Sequence, residues 1–373
     1  MNYNILRSLQ HMAAVKIAVE IFYDNEIEEI LLEERKYPRV LMGVEFNHSR
    51  HELWKLIQTK AIEKLPGLAA SLQTRVYNCI HALYAETEDW IRDHTLLLNL
   101  DPLHCPLACK SNLCWKSDGT INRVETAKKI AQNKNIDAND RFILACTYFL
   151  EDEVLGIWNE DGVSKRSLRR KGTNSAVRFW MKWLRKSPVM PWKLMIDDYF
   201  SVPCFRRSDI PLRFSGFFNY LSQESKEIYL EYFNYRLQCF HKDEFFSYLC
   251  IMDEEESTEL VQLIPQDALE HCLKWPFQTM FIEMVKQLES HGKDLNFYVI
   301  FCKIVANIVF ELHDFDYAEL VRELWNVSFS FKKEIEGCEI FSKIVEAILN
   351  YDKDNQSLLL AQLVDQCIRI RNI

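Results

Sequence analysis

The chain has 373 residues, 48% of them apolar, enough for a sizeable core, which excludes global disorder. Glycine (9) and proline (10) are scarce, which argues against a sheet-rich fold with many tight turns. The net charge of −9 excludes a general nucleic-acid binder, yet Glu160 to Arg213 holds 13 Lys/Arg against 5 Asp/Glu, a local +8 that leaves −17 for the remainder.

Leu9 to Tyr23 is apolar almost all round, the pattern of a helix buried on several sides. Asn25 to Glu34 follows, with Ile27, Ile30 and Leu31 facing inward and Glu28, Glu29, Glu33 and Glu34 outward. Arg50 to Leu65 is a third helix, stopped by Pro66-Gly67, and Leu68, Leu72, Val76, Ile80 and Leu83 form the stripe of a fourth. These make an N-terminal helical module, residues 1–111. Leu96 to Leu113, with Pro102 and Pro106, is the least regular stretch, and the main internal boundary is placed there.

Asp118 to Glu160 then reads as a run of short helices. Asp118-Gly119 is a turn and Thr120 the expected N-cap of a helix with Ile121, Val124, Ala127, Ile130 and Ala131 inward and Arg123, Glu125, Lys128 and Lys129 on the wet side. Asn133-Lys134-Asn135 breaks that pattern, and Asp137 is placed to cap a second helix carrying Phe142, Ala145, Cys146 and Phe149 on one face. Val154, Leu155, Ile157 and Trp158 resume an apolar stripe after Glu151-Asp152. Helices this short lean on neighbours for stability, which is the logic of a helix-pair repeat.

Ile143-Leu144-Ala145-Cys146 followed by Val154, with Ala127 to Asp137 before it, resembles the helix pair and finger of an ankyrin repeat over about one unit. Asp140-Arg141-Phe142-Ile143 stands where that family has its threonine-proline-leucine-histidine entry, and Phe149 stands where it has a glycine between helices. The resemblance implies stacked helix pairs. Cys114 to Thr120 and Arg141 to Leu150 are also similar to a set of uncharacterised multi-copy spider proteins, a resemblance that implies no activity.

Asp161 to Gly172 is polar and basic and reads as a loop; Ser175 opens a helix with Val177, Trp180, Met181 and Leu184 on one face. From Ser222 onward helical starts recur, with Ser222, Asp243, Ser257, Asp294, Asp314 and Asp354 as expected caps and Pro265 and Pro276 at first-turn positions. Leu358, Leu359, Leu363 and Cys367 form a closing helix with Arg369 and Arg371 near its end. Starts fall roughly 15 to 20 residues apart, so a pair occupies roughly 35 to 40, within the range of helix-pair solenoids.

Chemistry-bearing motifs are few. His104, Cys105, Cys109 and Cys114 cluster, but their C-x3-C and C-x4-C spacings depart from the C-x2-C turn of tetrahedral zinc sites, so they read as small residues in an irregular connection. Glu45, His48, His51 and Glu52 lack the second histidine of an HExxH helix, whose place Lys55 takes. Asp197 and Asp198 are adjacent, point about 100° apart on a helix, and read as exposed acids. No G-x-S-x-G elbow, phosphate loop or GxGxxG occurs. No catalytic, cofactor-binding or metal residue is assigned.

The basic segment interleaves Lys165, Arg166, Arg169, Arg170 and Lys171, then Arg178, Lys182, Arg185 and Lys186, with Trp180 and Trp183. Cations beside aromatics bind phosphates and stack bases, but Trp180, Trp183 and Leu184 fall on the apolar stripe and Lys182, Arg185 and Lys186 largely off it. The tryptophans therefore read as core, and the cations as partners for acids. The expected fold is all-α, an irregular stack of short antiparallel helix pairs (degenerate ankyrin-like, or an α-solenoid) over residues 112–373 behind the N-terminal module. The expected function is a non-catalytic scaffold that binds an acidic protein partner through Arg169, Arg170, Arg178, Lys182, Arg185 and Lys186. Nucleic-acid binding through residues 165–186 is the rival, and an enzyme whose site is assembled in space is the third reading. Twelve cysteines, mostly within apolar helical patterns, read as reduced thiols; with no signal-peptide pattern and no span-length apolar run, a cytoplasmic location without membrane insertion is expected.

Overall fold

A computed structural model of the chain describes residues 9–35, 48–98, 111–160, 163, 168, 175–185, 190–197, 215–226, 242–309 and 314–350. These residues are all-α, and among them the only extended pairing is an isolated antiparallel bridge between Trp115 and Ile121. The chain divides into two compact units, one holding residues 85–260 and the other residues 5–84 and 261–373; the division falls inside the fourth helix, between Tyr84 and Ala85.

The first unit is organised on three short helices, α5 (Arg123–Gln132), α6 (Ala138–Thr147) and α7 (Glu151–Trp158), in mutual contact. Asn122 caps α5, its side chain accepting from the Glu125 amide at 3.2 Å. The expected cap, Thr120, instead closes the preceding turn: its amide and hydroxyl both donate to Asp118, at 2.9 and 2.7 Å. Asp137 caps α6 as expected, accepting from the Asn139 and Asp140 amides.

All residues of α6 from Asn139 to Thr147 are buried, so it has no wet face, unlike the one-sided helix expected. Arg123, expected on the wet side of α5, is also buried, while Val124 is only half-buried. The helical stripe of α5 is thus Arg123, Thr126, Ala127, Ile130 and Ala131. Arg141, itself buried, ties the three helices together. Its guanidinium donates to the Ala131 carbonyl in the last turn of α5 (3.1 Å), to the Ile136 carbonyl in the finger (3.1 Å) and to Glu160 just past α7 (2.6 Å). It thereby serves the Ala131 carbonyl, which the end of α5 leaves without an intrahelical donor, and it holds the Glu160 carboxyl below the usual carboxylate range.

The second unit comprises α1 (Leu9–Phe22), α2 (Asn25–Arg35), α3 (His48–Glu63), the first half of α4 (Ala70–Leu98), and a C-terminal run of short helices. α1 buries Ala14, Val15, Ala18, Ile21 and Phe22 on one face and leaves Ala13, Lys16 and Glu20 exposed, so it is one-sided and not buried on several sides as expected. α2 buries Ile27 and Leu31 as expected, but also Glu34, which accepts a hydrogen bond from the buried Tyr84 hydroxyl instead of facing water.

The C-terminal run contributes α11 (Pro265–Cys272), α12 (Phe281–Ser290), α13 (Phe297–Val309), α14 (Tyr317–Val327), α15 (Phe329–Glu336) and α16 (Glu339–Leu349). Pro265 occupies the first turn of α11, where its missing N–H costs nothing. Clean apolar stripes drive the packing: Phe281, Met284, Val285 and Leu288 on α12, Tyr317, Leu320, Val321 and Leu324 on α14, and Phe341, Ile344, Val345 and Ile348 on α16. Phe331 sits at the centre, its ring 5.5 Å from that of Phe297 and 5.7 Å from that of Phe301.

Several helix starts in this run are capped by carboxylates from elsewhere in the unit. Glu334 accepts from the Phe297 and Tyr298 amides at 2.9 and 2.8 Å, closing the start of α13. Glu289 accepts from the Ser328 hydroxyl (2.7 Å) and the Ser330 amide (3.3 Å) at the start of α15. Asn296, accepting from the Val299 amide at 3.4 Å, stands at the cap of α13 in place of the expected Asp294, and Asp316 rather than Asp314 caps α14. Two further expected caps are helix-interior. Asp243 lies inside α9 (Lys242–Ile251), and Ser257 lies inside α10 (Glu254–Leu263), which Asp253 caps by accepting from the Glu256 amide at 2.8 Å while Glu256 accepts in return from the Asp253 amide. Pro276 lies in a turn rather than a helical first turn. Asp354 and the closing helix around Leu358 to Cys367 lie outside the described residues.

Candidate functional site

Three of the residues singled out for partner binding, Arg178, Lys182 and Arg185, lie on α8 (Ser175–Arg185), in the first unit. This helix is strongly two-faced. Ser175, Ala176, Val177, Phe179, Trp180, Met181 and Trp183 are buried, whereas Arg178, Lys182 and Arg185 are exposed. The three cations fall at i, i+4 and i+7, so they share one outward face. The helix contains no Asp or Glu. Arg169, Arg170 and Lys186, like Lys165, Arg166 and Lys171, lie outside the described residues.

The buried face is fixed by aromatic packing and by the indole donors. The Trp180 indole N–H donates to the Cys146 carbonyl on α6 at 3.1 Å, and the Trp183 indole to the Met190 carbonyl at 2.8 Å. Trp192 donates to the Glu151 carboxylate at the start of α7, also at 2.8 Å. Ring centroids of Trp180 lie 5.4 Å from Trp183, 5.3 Å from Trp192 and 5.7 Å from Phe149. Phe149, at the position where the resembled repeat carries glycine, adopts a positive φ of 52°. That conformation costs a side chain roughly 1–2 kcal/mol, which the burial of its ring among Phe179, Trp180 and Trp192 offsets. The tryptophans are core, as the apolar stripe predicted.

Sequence reasoning missed a second constellation, buried in the same unit. Glu86, Trp90, Asp93 and His94 share a face of the second half of α4, and His94 is fully buried. Its Nδ1 lies 2.6 Å from the Trp90 carbonyl, which only accepts, so Nδ1 carries the proton and Nε2 accepts from the Tyr148 hydroxyl at 3.0 Å. The Arg123 guanidinium pairs with Asp93 at 2.8 Å and lies 5.6 Å from the centre of the Trp90 ring. Burial, and after it the nearby Arg123 charge, push the His94 imidazole down to about 3, so it is neutral at physiological pH. Burial pushes the Tyr148 phenol up. The cluster is closed to solvent at His94 and Tyr148 and acts as a buried clamp. The spacing Glu86, Trp90, Asp93, His94 was readable as one helical face; nothing local said that Arg123 and Tyr148 would meet it.

The other sequence-flagged groups are dispersed. Asp197, expected as an exposed acid, is half-buried and accepts from the Ser222 amide at 3.0 Å; Asp198 lies outside the described residues. Cys114 is a half-buried free thiol, and His104, Cys105 and Cys109 lie outside the described residues. Among the described residues no group of three His, Cys, Asp or Glu side chains is placed to hold a metal ion. Cys79, Cys146 and Cys272 are buried free thiols, and burial raises the Cys79 thiol to about 12. No described helix is long and apolar enough to cross a membrane.

The fold and the site define an all-α protein with an outward cationic helix face set on an aromatic core. Compared with known protein families, curated proteins and solved structures, the chain has no match.

Proposed function

We propose that the protein is a non-catalytic interaction module, built from degenerate helix pairs, that docks an acidic segment of a protein partner on the outer face of α8. The observation that carries this reading is the division of that helix: every tryptophan on it is buried, and Arg178, Lys182 and Arg185 share its exposed face. Exposed ion pairs contribute roughly 0.2–1 kcal/mol each, so three cations supply recognition and association rate more than raw affinity. The buried indoles also favour a protein over a single-stranded nucleic acid. Base stacking needs an open aromatic face, and Trp180, Trp183 and Trp192 are 0%, 4% and 5% exposed.

The test is affinity purification from native tissue with the unaltered chain and with R178E/K182E/R185E. Loss of a bound protein by roughly tenfold or more is expected, three exposed pairs being worth up to a few kcal/mol. An identical set of partners with both chains overturns the reading. A gel shift with oligonucleotide at low and high salt separates the rival, because phosphate contacts predict a steep loss of binding with salt.

A further inference from the structure

A cleft of about 280 Å³ lies within the second unit, lined by His11, Arg75, Asn78, Trp275, Gln278 and Asp314 among others. Its walls carry opposite charges. Arg75 is exposed; its side chain makes one long 3.5 Å contact, with the Gln10 amide oxygen, and has no acidic partner among the described residues. Asp314 is held in place, its Oδ2 accepting from Gln278 Nε2 at 2.8 Å and from the Tyr317 hydroxyl at 3.1 Å. The His11 ring lies 5.2 Å from the Trp275 ring, giving the cleft an aromatic wall. Two covered atoms in the lining, Asn78 Oδ1 and Trp275 Nε1, have no hydrogen-bond partner among the described residues. Covered polar groups in folded chains nearly always have one, so each such orphan calls for an explanation.

Small-molecule sites run from roughly 300 to 1,000 Å³, and this cleft, just under that range, suits only a small ligand. We propose that it binds a free α-amino acid, with the carboxylate toward Arg75, the ammonium toward Asp314 and the side chain against the His11–Trp275 rings. The charge pattern discriminates: Asp314 repels a polyanion such as a nucleotide, and Arg75 repels a simple cation. Trp275 Nε1–H and Asn78 Oδ1 add one donor and one acceptor, the kinds that a carboxylate and an ammonium respectively need. This site shares no residue with α8 and does not depend on the function proposed above.

Isothermal titration of the full chain with each of the twenty L-amino acids tests the proposal, followed by the N-acetyl and C-amide forms of any that bind. At least one amino acid is expected to bind saturably. Blocking either of its charged ends, or the Arg75→Gln substitution, weakens binding roughly ten- to a hundredfold, the worth of one charge-assisted contact, while Lys286→Gln elsewhere in the unit leaves it unchanged. Absence of binding by all twenty overturns the proposal, as does unchanged affinity in R75Q. Equal affinity for the N-acetyl form also overturns it, assigning the cleft to a chain-terminal carboxylate instead. Arg75 is exposed, so R75Q is expected to fold; should it not, the blocked ligands decide the matter on the unaltered chain.

Discussion

The two units solve the problem of short helices in different ways. In the first, α5 to α7 are locked by buried polar and charged side chains: Arg141 spans three elements, and His94, Tyr148 and Arg123 interlock beside Trp90. In the second, α11 to α16 pack through regular apolar stripes, and the charged groups work at the helix ends, where Glu289 and Glu334 close the starts of other helices. A buried guanidinium or imidazole fixes geometry because few arrangements satisfy it, and removing one partner strands the others. An apolar stripe tolerates change in proportion to the volume removed. The first unit is therefore the more brittle, and substitutions that separate the two designs should differ in size and in pH dependence.

The largest effect is expected from Arg141→Leu. It strands the Ala131 and Ile136 carbonyls, a loss of about 1–3 kcal/mol for each, while the half-exposed Glu160 carboxylate turns to water. Denaturant unfolding measures it, and hydrogen exchange should place the loosening in residues 123–158. Arg141→Lys should recover only part, since the donors of one ammonium lack the planar spread by which the guanidinium reaches three separate acceptors. An unchanged unfolding midpoint in Arg141→Leu would show that the three contacts are incidental.

Next comes acid sensitivity. The folded His94 imidazole is held at about 3, below the value of about 6.5 it has in an unfolded chain. Between those limits the unfolded chain takes up a proton that the folded chain refuses. The contribution of His94 is therefore complete above about pH 6.5 and drains away as the pH falls toward 3, by about 3 kcal/mol between pH 6.5 and 4. Unfolding titrations at stepped pH should be correspondingly shallower in H94Q, and parallel curves for the two chains would contradict the clamp. The smallest effect is expected in the second unit. Glu334→Ala removes one carboxylate that caps two amides, about 1–2 kcal/mol by analogy with lost N-caps, seen as faster exchange at the start of α13 with the core stripe still protected.

Local pattern carried most of the helices. The apolar periodicity of α2 and α4, the Asp137 cap, Pro265 in its first turn and the buried tryptophans of α8 all follow from side chains within one turn of each other, where i, i+3 and i+4 spacing decides which face meets the core. The cationic face of α8 was readable for the same reason. Three features escaped. Glu34 and Arg123 were assigned to water because they are charged, and both are buried because Tyr84 and Asp93, on α4, meet them. The start of α13 was misassigned because its first amides are met by Asn296 and by Glu334, the latter 36 to 37 residues away in the chain. The cleft beside Arg75 brings α1 and α4 against residues 275–279 and 314–315. Helical period is a property of neighbours along the chain, so the amino-acid order alone establishes it. Which carboxylate reaches which amide, and which charge loses its water, is set by distances between segments that no local pattern encodes, and only the packed chain supplies them.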